Sequence, residues 1–170
     1  STASVMPSYV THIKGTVASF QPNENTVMLE DGEMLSYEYL VVAAGLKLDW
    51  SAIEGLETAL GKNGVTSNYR YDLAPYTWDL VQKMRGKEAI FTQPPMPIKC
   101  AGAPQKAMYL SCSTWTQAGK IKDINVSFCN AGPVLFGCAD YVPPLMKYVD
   151  SYGINLDFGH NLVKVDGPNQ

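Results

Sequence analysis

Several signals that mark common protein classes are missing from this 170-residue sequence. No apolar run approaches the roughly 18 residues of a membrane-spanning helix, and no signal-peptide pattern begins at Ser1, so any targeting segment would lie upstream. The formal net charge is −3, and the lysines and arginines are scattered, so no basic stripe is present. We therefore expect no membrane span and no nucleic-acid partner.

The sequence also lacks the usual spacings of metal and hydrolase sites. Its four cysteines, Cys100, Cys112, Cys129 and Cys138, form no Cys-x-x-Cys pair, and His12 and His160 are isolated. No serine lies in a Gly-x-Ser-x-Gly turn. We expect no metal site, and the sequence gives little support for a hydrolase.

What is present is an α/β pattern in two unequal parts. Three β-rich runs, 12–20, 26–30 and 35–43, are separated by turn-forming residues and predict a small antiparallel meander. The apolar end of the third run, Tyr39–Ala43, is typical of a strand buried on both faces of a larger sheet. The segment 51–70 has three glycines and no strong periodicity, which suggests a linker.

The remaining residues, 71–170, predict a Rossmann-like βαβαβ unit. A helix over 72–84 opens it, and then strands 88–92, 124–129 and 154–158 alternate with helices near 105–117 and 139–152. The first strand-to-helix turn does not read Gly-x-Gly-x-x-Gly, and Asn130 follows the second strand where an acidic residue would hold a ribose. We therefore expect no NAD(P) binding.

That first turn holds the most informative residue of the chain. Cys100 lies between Lys99 and Lys106, just before a predicted helix, where unpaired N–H groups and positive charge favour a thiolate. The sequence thus predicts a reactive thiol, although a small cysteine packed in a tight turn fits the same local pattern. Cys112 is too far along the helix to be its disulfide partner, at roughly 18 Å. Cys129 and Cys138 remain possible partners, with ordinary packing favoured for both.

Several stretches of this sequence resemble one known family. They are Phe91–Pro94, Lys99–Lys106, Met108–Ser111, Ser36–Trp50, and Ser67-Asn68-Tyr69 with Thr77-Trp78. In the order in which they occur along the chain, these segments resemble the sulfide:quinone oxidoreductases of the eukaryotic, mitochondrial type, which belong to the FAD-dependent pyridine nucleotide-disulfide oxidoreductases. The resemblance implies an internal fragment of a two-dinucleotide-domain flavoprotein. Residues 1–50 would be part of the FAD-binding domain, and residues 71–170 would be the incomplete second Rossmann-like domain.

The resemblance also implies the chemistry of the complete protein. Cys100 would carry a persulfide formed from sulfide, a second cysteine in a segment after this chain would reduce FAD, and the electrons would pass to quinone. Val17, Ala44 and Gly45 would lie beside FAD, and Lys99 and Lys106 would steer anionic sulfur species. A small nucleophile such as glutathione or sulfite would accept the sulfur.

The resemblance further implies a location and possible partners. The protein would lie on the matrix side of the mitochondrial inner membrane, or at the membrane periphery if bacterial, attached through regions outside this chain. The chain alone would be inactive and would not retain FAD. Its Rossmann-like sheet would be incomplete, and the unpaired strand edges make a homo-oligomer possible. Two alternatives stay open: a cofactor-independent, sulfurtransferase-like thiol enzyme that uses Cys100 alone, and a non-catalytic Rossmann-like assembly module.

Overall fold

The computed structural model describes residues 2–169, and the chain divides into two compact units between Gly45 and Leu46. The first unit contains three antiparallel strands in the order β1-β2-β3. Their bounds are β1 Val17–Gln21, β2 Thr26–Leu29 and β3 Met34–Ser36, preceded by a 3₁₀ turn at Thr2–Val5 and with another at Pro22–Glu24. The predicted meander is confirmed, although its first and third strands are shorter than the apolar runs suggested.

The buried strand expected over Tyr39–Ala43 does not form. Those residues have no regular secondary structure, and Tyr39 and Val41 are 91% and 88% exposed. A strand that is apolar on both faces needs a neighbour for its backbone groups and cover for its side chains. No strand among residues 2–169 supplies either to this run, so the apolar pattern alone does not produce a strand here.

The second unit contains a parallel sheet in the order β4-β5-β6 together with four helices. Its main elements are α1 Leu56–Ala59, α2 Ala74–Lys83, β4 Glu88–Gln93, α3 Gly102–Gln117, β5 Asn125–Asn130, α4 Val142–Tyr152 and β6 Asn155–Phe158. Short 3₁₀ turns lie at Trp50–Ala52, Tyr71–Leu73, Ile121–Asp123 and Ala139–Tyr141. The predicted βαβαβ order is confirmed.

The core of this unit forms where α3 packs with the central strand. Met108, Cys112 and Trp115 recur along α3 at helical spacing, so one face of the helix is buried. Val126 and Phe128 of β5 belong to the same core and are at most 1% exposed. Burying large apolar side chains of this kind contributes about 1.5–3 kcal/mol each. The core therefore holds α3 against the sheet.

The segment 51–70, expected as a linker, lies within the second unit. Its short helix α1 buries Leu56 and Ala59. Glu54 forms an isolated parallel bridge with Lys164. Its N–H donates to Val163 O at 3.2 Å, and its carbonyl accepts from Val165 N at 2.8 Å. These apolar and backbone groups therefore find their partners within the second unit.

No helix among residues 2–169 is both long and apolar enough to cross a bilayer. In the same part of the chain, no group of three or more His, Cys, Asp or Glu residues is arranged to hold a metal ion.

Candidate thiol site

Cys100 lies in the loop that joins β4 to α3, residues 94–101, which we call the cysteine loop. Its side chain is exposed, and its backbone has a φ of +64°. This left-handed conformation costs a residue with a β-carbon about 1–2 kcal/mol. Such a conformation persists only where neighbouring contacts hold it in place.

Those contacts come from the start of α3 and from a segment about 30 residues earlier in the chain. The carbonyl of Cys100 accepts from Ala103 N at 3.0 Å, which closes the turn into α3. The hydroxyl of Tyr69 donates to Lys99 O at 2.5 Å and lies 3.2 Å from Cys100 O. The Asn68 side chain donates to Ala103 O at 3.2 Å. The thiol is therefore exposed on a backbone that is fixed from two sides.

The end of the neighbouring strand β5 forms hydrogen bonds with the loop that follows it. Asn130 at the end of β5 is 1% exposed, accepts from Gly132 N at 2.8 Å and donates to Val134 O at 2.9 Å. Gln105 of α3 donates to Leu135 O at 2.6 Å. These bonds tie the loop after β5 to itself and to the first turns of α3. The amide of Asn130 therefore stabilises its own loop.

The other cysteines occupy different environments. Cys112 is fully buried in the core, and burial raises the pKa of its thiol to about 12. Burial also raises the pKa of Cys129, with a further contribution from the charge of Asp157. Cys138 is exposed, and none of the four cysteines is in a disulfide. Cys112 is thus unsuited to thiolate chemistry.

The two lysines that flank Cys100 in sequence are both exposed. Within the described part of the chain, neither Lys99 nor Lys106 forms an ion pair, since the ion pairs present involve other residues. Their charges are therefore free to act on solutes near the cysteine loop.

The expected flavin neighbours all lie in the first unit. Val17 is the first residue of β1 and is 43% exposed, and Ala44 and Gly45 are exposed after the irregular run. Gly45 has a φ of +80° and has no atom within 4 Å of where a β-carbon would be. The backbone at Gly45 is thus open to close approach by a ligand.

Comparison with known proteins gives relatives along nearly the whole chain. The chain is 41% identical over 164 residues to the mitochondrial sulfide:quinone oxidoreductase of Dictyostelium discoideum, which covers 95% of this chain and 36% of that protein. The Mus musculus protein of the same name is 37% identical over 165 residues, which covers 97% of this chain and 37% of the relative. The sequence is homologous to sulfide:quinone oxidoreductase. It spans little more than a third of the length of these relatives.

No family model matches the chain, but solved structures share its fold. A sulfide:quinone oxidoreductase from Aquifex aeolicus superposes with a TM-score of 0.68 at 18% identity, over 91% of this chain and 36% of that chain. A chain in the Tetrahymena thermophila mitochondrial ATP synthase structure has a TM-score of 0.73 at 19% identity, over 97% of this chain and 42% of that chain. These structural likenesses show a shared fold.

The role of Tyr69 is not evident from the sequence. From its residue type, Tyr69 is expected to be one of several large, half-buried aromatic side chains in the core or linker. In the structure, its hydroxyl instead forms a hydrogen bond with the cysteine loop. One available signal is that Ser67-Asn68-Tyr69 is among the segments that resemble sulfide:quinone oxidoreductase. Nothing local in those three residues predicts which carbonyls they reach.

A separate groove of about 1030 Å³ lies over β4 between α2 and α3. Trp78, Ile90 and Leu110 line it and are 51%, 61% and 62% exposed. Tyr69 also lines this groove, but Cys100 is not among its lining residues. The groove and the exposed thiol are therefore distinct features of the second unit.

Proposed function

We propose that this chain carries the sulfide-reactive cysteine of an FAD-dependent sulfide:quinone oxidoreductase. The observation that carries the proposal is the placement of Cys100. It is an exposed thiol on a left-handed backbone, two residues before α3 begins. Homology to proteins named sulfide:quinone oxidoreductase, at 36–41% identity, supports the assignment.

In the proposed reaction, hydrosulfide attacks a disulfide between Cys100 and a second cysteine. A bond forms between the sulfide sulfur and Cys100, the bond between the two cysteines breaks, and the second cysteine leaves as a thiolate while the HS⁻ proton goes to solvent. Cys100 now holds a persulfide. Transfer of its outer sulfur to a small nucleophile leaves two thiolates, whose two-electron oxidation restores the disulfide.

The second cysteine is proposed to lie outside residues 1–170, as the family resemblance implies. Burial and a pKa of about 12 argue against Cys112. Cys129 is partly buried near an acidic group that opposes a thiolate. Cys138 is exposed and remains testable as an alternative.

FAD is the proposed electron acceptor, and residues of this chain would line one side of its binding site. Val17, Ala44 and Gly45 are exposed, and no atom lies within 4 Å of the position that a β-carbon on Gly45 would take, so a dinucleotide could approach closely there. Because Tyr39–Ala43 has no regular secondary structure, the larger sheet expected at this site is not formed by residues 2–169. Bound there, a flavin would accept two electrons from thiolates and deliver them to quinone.

Lys99 and Lys106 are proposed to attract anionic sulfur species to the cysteine loop. Exposed charges of this kind act mainly on the rate of encounter, and the effect weakens as salt is added. Replacing Lys99 with Gln is expected to raise the KM for sulfide about threefold at low ionic strength. The difference from wild type should shrink in high salt.

The setting proposed for the complete protein follows its relatives, which are named mitochondrial. We place it at the matrix side of the inner membrane, attached peripherally through regions outside this chain. Quinone would be the electron acceptor, and glutathione or sulfite the sulfur acceptor. A homo-oligomer is consistent with the exposed edge of β4, which ends the parallel sheet.

The test is the Cys100→Ser variant of the complete protein, with Cys138→Ser as the matched control at another exposed cysteine. Cys100→Ser should abolish sulfide-dependent quinone reduction while its flavin absorbance stays as in wild type. Cys138→Ser should retain wild-type turnover. Retained turnover in Cys100→Ser would refute the function, and loss of turnover in Cys138→Ser would identify Cys138 as the partner.

A further inference from the structure

The polar side chains of Asn68 and Tyr69 converge on the carbonyl oxygens around Cys100. Tyr69 Oη lies 2.5 Å from Lys99 O and 3.2 Å from Cys100 O, and Asn68 Nδ2 lies 3.2 Å from Ala103 O. Tyr69 N is itself held by the Ser67 hydroxyl at 3.2 Å. Three successive residues therefore form a brace against both ends of the turn that carries the thiol.

We propose that Tyr69 is a positioning residue, whose hydroxyl holds Cys100 in the left-handed conformation that presents its thiol beside the first turn of α3. The inference rests on the proposed function for its catalytic meaning, but its structural content stands on these contacts alone. Asn68 assists by holding the carbonyl of Ala103.

A packing role for Tyr69 would not explain this geometry. The ring is only half-buried, and its hydroxyl is directed at two consecutive carbonyl oxygens in a loop about 30 residues away in sequence. A non-glycine residue with positive φ needs outside contacts to hold it, and the Tyr69 hydroxyl supplies one at that residue. The carbonyl of Cys100 also accepts from Ala103 N, so both of its lone-pair directions are used.

The protonation state of Tyr69 agrees with a donor role. Burial raises the pKa of its phenol above the ordinary value of 10, and the charge of the nearby Cys100 thiolate raises it further. The hydroxyl therefore keeps its proton at neutral pH, as a hydrogen-bond donor must. Its single proton points mainly to Lys99 O at 2.5 Å and is shared with Cys100 O at 3.2 Å, so one donor restrains the peptide groups on both sides of Cys100.

The test compares Tyr69→Phe with Tyr76→Phe in the complete protein. Both variants keep the ring and remove one hydroxyl that makes a hydrogen bond. The Tyr76 hydroxyl, however, accepts from Gly64 N at 3.0 Å, which lies outside the cysteine loop. Asn68→Ala serves as a second variant that leaves the Tyr69 ring intact. Alkylation of each cysteine in the reduced protein is followed by peptide mass spectrometry, with exposed Cys138 as the internal reference.

We expect Cys100 in Tyr69→Phe to react with iodoacetamide about fivefold more slowly, because the loop no longer holds Cys100 in the conformation that exposes its thiol. Turnover with sulfide should fall about tenfold, while the KM for quinone stays constant. Tyr76→Phe should match wild type in both measurements, and Asn68→Ala should show a smaller loss.

Equal Cys100 alkylation rates in wild type, Tyr69→Phe and Asn68→Ala would overturn the inference. So would equal slowing in Tyr69→Phe and Tyr76→Phe, because that result would indicate general loosening. The alkylation readout does not require turnover. If Cys100→Ser kept its activity, the proposed function would fail while the positioning inference would still be decided by the alkylation rates.

Discussion

The close contact between Gly55 and Val165 gives a sharp prediction about how residues 46–70 pack against the rest of the second unit. A β-carbon on Gly55 would lie 2.1 Å from Val165 O, and Gly55 has a φ of +77°. Real β-carbons do not approach an oxygen this closely, so the two backbones must separate by about 1 Å to restore van der Waals contact. Gly55→Ala therefore strains its own backbone and displaces that of Val165.

The cost can be worked out from the bonds that the displacement breaks. Holding alanine at positive φ costs about 1 kcal/mol. Separation would also break the bonds from Glu54 N to Val163 O and from Val165 N to Glu54 O, each worth about 1 kcal/mol net. We expect Gly55→Ala to lower the free energy of unfolding by about 3 kcal/mol.

Gly64→Ala is the matched control, because Gly64 has a φ of +75° but no atom within 4 Å of the position that a β-carbon would take. It should cost only about 1 kcal/mol. The assay is urea unfolding followed by far-ultraviolet circular dichroism, with hydrogen exchange at the amide of Val165. Equal losses for the two variants, or unchanged protection of that amide, would refute the reasoning.

Two further predictions concern the core of the second unit. Burial raises the thiol pKa of Cys112 and the phenol pKa of Tyr109 each to about 12, so above about pH 9 the unfolded chain releases protons that the folded chain retains. Stability should therefore fall as pH rises from about 9 to 12, with a shallower slope in Cys112→Val; a slope unchanged in that variant would contradict the assignment. Trp115 Nε1 donates to Val81 O at 2.8 Å, so Trp115→Phe should lose about 2 kcal/mol, whereas half-exposed Trp78→Phe should lose under about 0.5 kcal/mol; equal losses in denaturant titrations would argue against this bond.

The two units differ in how far their folds could be predicted. In the second unit, period-2 runs alternate with helical spacing, and short connections leave few topologies for such an order. The strands and helices accordingly lie within a few residues of their expected positions. In the first unit, Tyr39–Ala43 has the composition of a buried strand, but a strand exists only where a neighbour pairs with it. Composition cannot show whether that neighbour is present.

The segment 51–70 is the opposite case, because its composition suggests no packing partner although the structure provides one. Its glycines and weak periodicity suggest a linker, yet Leu56 and Ala59 are buried, and Gly55 allows the backbone of Val165 to approach. These contacts join residues more than a hundred positions apart. Local sequence patterns carry no information about such pairings.

The order of elements, the thiol between two lysines and its place before α3 follow from the sequence alone, because hydrophobic spacing, proline and charge act over a few residues. Only the tertiary structure decides that Cys100 adopts a φ of +64° and that Tyr69 braces its carbonyl. The burial of Cys112, which separates an inert thiol from an exposed one, is decided in the same way. Each of these depends on groups that are distant along the chain and become neighbours only when α3 packs against the sheet.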